Sequence, residues 1–152
     1  MSTPEQRLSE LGLSIPDVAK PVAAYIPAVR SGNHVSTSGQ LPMRDGQLMN
    51  TGKVGGEVTQ EEAVACAQQC ALNALAAINA ELGSLSSVKR IVKVVVFVAS
   101  TSDFTGQPLV ANGVSELLGA VFGDAGRHAR SAVGVPVLPL DAPVEVEMIV
   151  EI

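Results

Sequence analysis

The sequence predicts an α+β fold in which a mostly antiparallel sheet carries two long helices on one face. The first observation is the order of patterns along the chain: a short helix, two strands, a long helix, a strand, a long helix and two strands. The second is that strands come in pairs near both ends of this order, which favours antiparallel hairpins. The third is that the first long helical pattern has a narrow, alanine-rich apolar side, which lets a helix lie close to a sheet.

Capping boxes mark two of the predicted helix starts. Thr3-Pro4-Glu5-Gln6 has an N-cap residue, a proline in the first turn and a glutamine three residues after the cap, so a short helix is expected. Thr59-Gln60-Glu61-Glu62 repeats the pattern and begins a long helix that Gly83 ends. A second long helix is predicted over 108–122.

The strands are predicted from alternation and from β-branched runs. The continuous run over 88–99 is nearly all β-branched, which implies that both faces of this strand are covered. Helices are expected to cover one face, and a second layer is needed on the other. The remaining predicted strands are 24–29, 34–38, 130–137 and 144–152, with turns at 31–33 and 44–47.

The composition favours one domain that assembles with copies of itself. The chain has 152 residues, of which 47% are hydrophobic and 16% charged. So few charges on a small protein indicate that a partner covers some apolar surface, and a homo-oligomer is the simplest partner.

Charge and residue usage argue against several classes of function. The net charge is −5 and aromatic residues make up 3%, without a basic cluster, so nucleic acid is not an expected partner. Cys66 and Cys70 are interpreted as core residues, since no His or Cys elsewhere stands at zinc spacing. The start of the chain lacks the apolar stretch of a signal peptide, and no run approaches the roughly 18 apolar residues of a membrane span. We therefore expect a cytoplasmic protein without a membrane partner.

Arg130 is the most informative single residue, because it places a permanent charge at the head of an apolar strand. Arginine is rarely buried without a partner, and its planar fork of donors matches a carboxylate. The partner is either an internal acid, Glu145 or Glu147, or the carboxylate of a ligand, and spacing alone favours the internal pair. His34 and His128 have no Ser or Cys at a recognisable spacing, so no catalytic triad is assigned.

Three segments carry a resemblance to a known family. They are Tyr25-Ile26-Pro27-Ala28-Val29 with Thr37-Ser38-Gly39-Gln40-Leu41-Pro42, then Val94-Val95-Val96-Phe97-Val98 leading to Asn112, and Ala129-Arg130-Ser131-Ala132-Val133 leading to Val144-Glu145-Val146-Glu147. On these segments the chain resembles the RidA/YjgF family of imine deaminases, also called L-PSP endoribonuclease-like. The resemblance assigns residues 21–152 to a RidA/YjgF-like domain and leaves 1–20 as an N-terminal helical extension.

The resemblance implies a chorismate mutase-like fold, a barrel-like homotrimer and clefts between its subunits. It also implies hydrolysis of reactive enamines and imines, such as 2-aminoacrylate and 2-iminopropionate, to a 2-keto acid and ammonia. In that activity Arg130 clamps the substrate carboxylate in an intersubunit cleft, and Glu145 orients or activates a water. The implied substrate-binding residues are Tyr25, Ser38, Gly39 and Asn112. No metal or organic cofactor is implied, because the imine is already reactive.

The sequence departs from the family pattern at several places. Ala23-Ala24 replaces a usual Gly-Pro pair, Ala132 stands where many members have cysteine, and the connection from Asp103 to Asn112 is longer. An alternative function is therefore a regulatory trimer that binds a small carboxylate such as a 2-keto acid without turnover. A ribonuclease, which the acidic composition disfavours, and a chaperone are further alternatives.

Overall fold

A five-stranded sheet forms the centre of the protein, described by a computed structural model for residues 1–21 and 23–152. The helices are α1 (Pro4–Glu10), α2 (Gln60–Leu82) and α3 (Gln107–Phe122), with 3-10 turns at Leu85–Ser87, Gly123–Gly126 and Pro139–Asp141. The strands are β1 (Ala28–Ser31), β2 (His34–Thr37), β3 (Met43–Arg44), β4 (Gln47–Leu48), β5 (Arg90–Ala99), β6 (Ala129–Val135) and β7 (Val144–Glu151).

The strand order in the main sheet is β1-β2-β7-β5-β6, and β3 and β4 form a separate hairpin. The pairs β1–β2, β2–β7 and β5–β7 are antiparallel, whereas β5 and β6 are parallel. Parallel neighbours need a long crossover, and here α3 provides it. The predicted α+β class and the mostly antiparallel sheet are confirmed, and the parallel pair at one edge is an addition to them.

The two faces of the sheet have different surroundings. We call the face that α2 and α3 cover the helix-covered face and the other the open face. On β5, Val94, Val96 and Val98 are fully buried on the helix-covered face, while Lys93 and the other intervening residues keep partial exposure. The expected cover of one strand face by helices is therefore confirmed. On the open face, a small cluster with Leu41, Leu48 and Leu138 packs against the Phe97–Ala99 end of β5.

The helix starts follow the predicted capping boxes. In both α1 and α2 the N-cap threonine hydroxyl accepts a backbone N–H, and the third residue of the helix returns a side-chain bond to the cap. Gly83 ends α2 in the left-handed conformation with φ of 82°, which favours glycine. Local sequence signals therefore set these three ends.

Close contact between the long helices depends on Gly113. A Cβ atom at this position would overlap the backbone carbonyl oxygen of Val64, so the backbones of α2 and α3 are in direct contact here. Such an approach is available to glycine because it has no Cβ. The tight helix layer is what fixes α3 above the edge of the sheet.

The first helix packs on the rest of the fold. Leu8 is 1% exposed, and Glu5 accepts hydrogen bonds from the Leu85 backbone N–H at 2.8 Å and the Ser84 hydroxyl at 3.0 Å. Burial raises the pKa of Glu5, but its hydrogen bonds together outweigh burial and leave that pKa lowered. Residues 1–20 as a separate extension stay a prediction, although α1 is integrated with the core.

Two expectations from the sequence need correction. The strand predicted over 24–29 begins at Ala28, because the chain bends at residues 23–25. The claim that no run approaches a membrane span was wrong for α2, which is long and apolar enough by length and composition. The buried share of that α2 window is 72%, as in the core helix of a folded domain.

Candidate functional site

Arg130 lies on the helix-covered side of β6 and is held by α3. It pairs with Val94 of β5, and its side chain reaches the first turns of the helix. Nη1 donates to Asn112 Oδ1 at 2.9 Å and to Ser115 Oγ at 3.2 Å, and Nη2 donates to the Pro108 carbonyl at 3.4 Å. All three acceptors are neutral, so they orient the guanidinium without compensating its charge.

The internal ion pair that spacing favoured for Arg130 is wrong. Across residues 1–21 and 23–152, the salt bridges join Lys53 to Asp141 and Arg127 to Asp124. A guanidinium has five N–H donors, and three are used in the contacts above. Nε–H and one Nη2–H remain, and donors on these two nitrogens suit a carboxylate, which accepts two hydrogen bonds from one edge of a guanidinium.

A serine–histidine pair stands behind Arg130, and the sequence did not reveal it. Ser115 Oγ lies 2.9 Å from His128 Nε2, and His128 Nδ1 lies 2.6 Å from the Gly126 carbonyl oxygen. No serine stands at a recognisable spacing from His128 in the sequence, but the fold brings Ser115 to it. The two residues are 13 positions apart, and the 3-10 turn Gly123–Gly126 brings them together.

Glu145 and Gly39 form the second part of the site. A Cβ atom at Gly39 would overlap the Glu145 carboxylate and lie 2.8 Å from its Cδ, so the acid rests directly on the Gly39 backbone. Burial, together with the negative charge of Glu147, raises the pKa of the Glu145 carboxyl. The carboxyl is half-buried, and no cation within 4.0 Å balances it among the described residues. A raised pKa makes the carboxylate a stronger base, which suits a group that accepts and returns a proton.

Ser38 has a structural role beside Gly39. Its hydroxyl donates to the Ile26 carbonyl at 2.6 Å and its N–H donates to the Pro27 carbonyl at 2.8 Å. These bonds fix the chain that precedes β1. Tyr25, which is 45% exposed, and Gly39 line one groove of about 1120 Å³, and residues 12–21 form a wall of the same groove.

The six predicted site residues thus fall into two groups. Arg130 and Asn112 are in contact on the helix-covered face. Glu145 pairs with Phe97, three positions along β5 from the Val94 that pairs with Arg130, and positions an odd number apart face opposite sides of a sheet. One protomer therefore does not bring Arg130 and Glu145 together. Gly39 lies against Glu145, Tyr25 lines the same groove as Gly39, and Ser38 is the neighbour of Gly39 in the chain.

The thiols are not part of either group. Cys66 and Cys70 are both fully buried, as predicted for core residues. Burial raises the pKa of Cys66 to about 11 and also raises that of Cys70, so both stay protonated at neutral pH. Over residues 1–21 and 23–152, no three His, Cys, Asp or Glu side chains are grouped closely enough to hold a metal ion.

Comparison with known proteins places this chain in a family. A family model described as "YjgF/chorismate mutase-like, putative endoribonuclease" matches residues 5–152. The chain belongs to this family, as the resemblance predicted. The match begins at residue 5 and so includes most of the first helix.

Individual relatives agree over nearly the whole chain. Protein TCP17 of Trypanosoma cruzi is 47% identical, with 95% of this chain and 91% of that protein covered. The 2-iminobutanoate/2-iminopropanoate deaminase of Dermatophagoides farinae is 34% identical, with 92% and 94% covered. The crystal structure of the protein Atu1372 from Agrobacterium tumefaciens has a TM-score of 0.92 and 46% identity, with 99% of this chain and 93% of that chain covered.

Proposed function

We propose that this protein hydrolyses small 2-imino acids and their enamine tautomers to 2-keto acids and ammonia. The observation that carries the proposal is Arg130, whose charge has no counterion among residues 1–21 and 23–152 and whose remaining N–H donors form a carboxylate fork. The activity named for the relative from Dermatophagoides farinae, which is 34% identical, supports the choice of substrate. Arg130 would fix the substrate carboxylate and thereby place the adjacent imine carbon.

Glu145 supplies the proton transfers in this proposal. A water adds to the imine carbon, forming a C–O bond while the C=N π electrons move to nitrogen. Glu145 accepts a proton from the water and returns it to the nitrogen, which gives a carbinolamine. Glu145 then takes the hydroxyl proton and passes it to the amino nitrogen, so that the C–N bond breaks, ammonia leaves and the C=O bond forms. The raised pKa of Glu145 supports this role, because a carboxylate with a higher pKa is a stronger base and accepts a proton from water more readily. The reaction consumes one water and requires no oxidant.

The proposal includes a homotrimer, since Arg130 and Glu145 of one protomer lie on opposite faces of the sheet. A neighbouring copy would complete the cleft by presenting its Glu145 group to the Arg130 group. The rest of the open face, beyond the small cluster at Phe97 and Ala99, has partly exposed residues such as Val95 and supports assembly through that face. Cytoplasmic location is part of the same proposal.

A second candidate is a trimer that binds a 2-keto acid without turnover. The observation that favours it is that the Arg130 fork is fully arranged by α3 of the same protomer and does not depend on Glu145. Binding of a carboxylate is then possible even where catalysis fails.

The test measures ammonia and keto acid released from freshly generated 2-iminopropionate. We expect acceleration by the wild-type protein and a loss of about 100-fold or more in the Arg130→Ala variant, because the substrate is no longer placed. Arg127→Ala is the matched control, since Arg127 pairs with Asp124 on the exposed surface and should leave the rate unchanged. Equal rates in wild type and Arg130→Ala would contradict the proposal. Binding of 2-oxobutanoate without any acceleration would favour the second candidate.

A further inference from the structure

The contacts of Arg130 extend beyond Asn112 to a line of side chains that ends on a backbone carbonyl. We propose that His128, acting through Ser115, is a positioning residue that holds the Arg130 guanidinium in the orientation that binds a carboxylate. The proposal rests on the carboxylate-binding part of the proposed function. It adds two residues that neither the sequence pattern nor the resemblance assigned to the site.

The direction of each hydrogen bond follows from the ends of the line. The Gly126 carbonyl oxygen can only accept, so the 2.6 Å contact requires the proton on His128 Nδ1. In the neutral ring Nε2 then carries no proton and accepts from the Ser115 hydroxyl at 2.9 Å. The hydroxyl proton is thereby directed to the imidazole, which leaves the oxygen lone pairs for Arg130 Nη1 at 3.2 Å.

The line is anchored on both sides by rigid elements. A Cβ atom at Gly126 would overlap the Leu118 carbonyl oxygen, so the Gly123–Gly126 turn packs directly on α3 and fixes its own acceptor. Asn112 and Ser115 are three residues apart on α3 and therefore share one side of the helix. Both hydrogens of Arg130 Nη1 are taken by these two side chains. The plane of the guanidinium is set by this double contact, and Nε and Nη2 form its remaining edge.

Removal of the imidazole releases the hydroxyl. A serine inside a helix readily turns its hydroxyl to the carbonyl four residues earlier, which competes with other contacts. Ser115 would then no longer hold Nη1 in place, and the guanidinium would regain rotational freedom. Since the ordering of a long side chain is unfavourable, a carboxylate ligand would bind more weakly to the freed arginine.

The experiment compares the binding of two probes to the full-length chain by calorimetry. The probes are 2-oxobutanoate and its uncharged amide, 2-oxobutanamide. For 2-oxobutanoate we expect Arg130→Ala to abolish binding, and Ser115→Ala and His128→Ala each to weaken it about tenfold. The variant that combines Ser115→Ala with His128→Ala should bind like Ser115→Ala alone, because the effects of substitutions that act through one another are not additive. Ser115→Thr, which keeps the hydroxyl, should restore the affinity.

Matched measurements separate positioning from damage to the fold. His34→Ala removes an exposed imidazole on β2 and should leave both affinities unchanged. Amide binding should not change in any of the Ser115 or His128 variants. With 2-iminopropionate as substrate, KM should rise in the His128→Ala variant while kcat changes less, as for a lost binding contact.

The outcomes distinguish the positioning role of His128 and Ser115 from the proposed function. Unchanged 2-oxobutanoate affinity in Ser115→Ala and His128→Ala, with loss in Arg130→Ala, would overturn the positioning role and leave the proposed function intact. Additive losses in the double variant, or equal losses for acid and amide, would also overturn it, since they indicate a general structural effect. No carboxylate-dependent binding by the wild type, or none that depends on Arg130, would contradict the proposed function itself.

Discussion

The surroundings of Arg130 and Glu145 differ in how each charge is accommodated. Arg130 is held by neutral acceptors, which define its orientation and leave its charge available. Glu145 is half-buried beside Glu147, and both burial and that neighbour disfavour its charged form. The helix-covered face therefore carries a fixed cation suited to binding, whereas the open face carries an acid whose charged form is disfavoured. In the proposed reaction, binding and proton transfer therefore belong to different faces of one sheet.

The largest expected effect comes from Glu145→Gln, which keeps the shape of the side chain and removes the base. We expect turnover of 2-iminopropionate to fall about 10²–10⁴-fold, the usual contribution of a general base. Binding of 2-oxobutanoate should be retained, because the Arg130 fork is unchanged. Steady-state kinetics and calorimetry on the same preparation measure both. Loss of binding together with turnover would contradict the division of roles between the two faces.

Assembly through the open face is tested by Val95→Lys. Val95 is opposite Glu147 on β7, so the new ammonium can pair with an acid and the protomer should stay folded. A longer, charged side chain that must be desolvated at a packed interface disfavours association, so we expect sedimentation to show monomers and turnover to be lost with the trimer. Ala120→Asp on the exposed side of α3 is the control and should leave assembly unchanged. A Val95→Lys protein that still sediments as a trimer would place the interface elsewhere.

Two glycines of α3, the helix that supports Arg130 on the helix-covered face, can be compared by the same substitution to alanine. Gly113→Ala places a methyl group against the Val64 carbonyl and should destabilise the protein by about 1–3 kcal/mol. Gly119→Ala meets nothing within 4 Å and should stabilise the helix by about 0.5–1 kcal/mol. Denaturant unfolding of both variants measures the difference. Similar stabilities would show that the helix layer can relax, and that α3 is a less rigid support for Arg130 than the contacts indicate.

The smallest expected effect is on the pH dependence of stability. The folded protein raises the pKa of Glu145, so this residue disfavours folding as the pH rises from the ordinary carboxyl value through the raised one. Glu145→Gln should therefore be more stable than wild type at neutral pH, and the gain should vanish in acid where both are uncharged. Thermal unfolding at several pH values measures it. A variant that is less stable at neutral pH would indicate a favourable partner for the Glu145 charge.

The sequence predicted those parts of the fold that depend on local signals. The helix starts follow capping boxes at Thr3 and Thr59, and β5 follows its β-branched run. The hairpin of β3 and β4 has two residues in each strand, too few for an alternating pattern, although its turn was predicted. The parallel pairing of β5 and β6 depends on where α3 packs, which is a tertiary property.

The site was predicted by resemblance more than by pattern. Spacing favoured an ion pair for Arg130, and the structure replaced it with neutral partners on a helix 15 and 18 residues earlier in the chain. The Ser115–His128 contact depends on both α3 and the following 3-10 turn, so the spacing of the two residues in the sequence does not predict it. Which residues share a sheet face was predictable from alternation, but the pairing that places Arg130 and Glu145 on opposite faces required the register.

The position of β7 also has a consequence for how the chain folds while it is being synthesised. This strand lies between β2 and β5 in the sheet, yet it follows both of them in the sequence. Until residues 144–151 have been synthesised, β2 and β5 present edges without their central partner, and unpaired edges are sites of aggregation. The sheet therefore closes late, by contacts between distant parts of the chain, and such contacts form slowly. A nascent chain of this protein depends on its last strand for protection of its first ones.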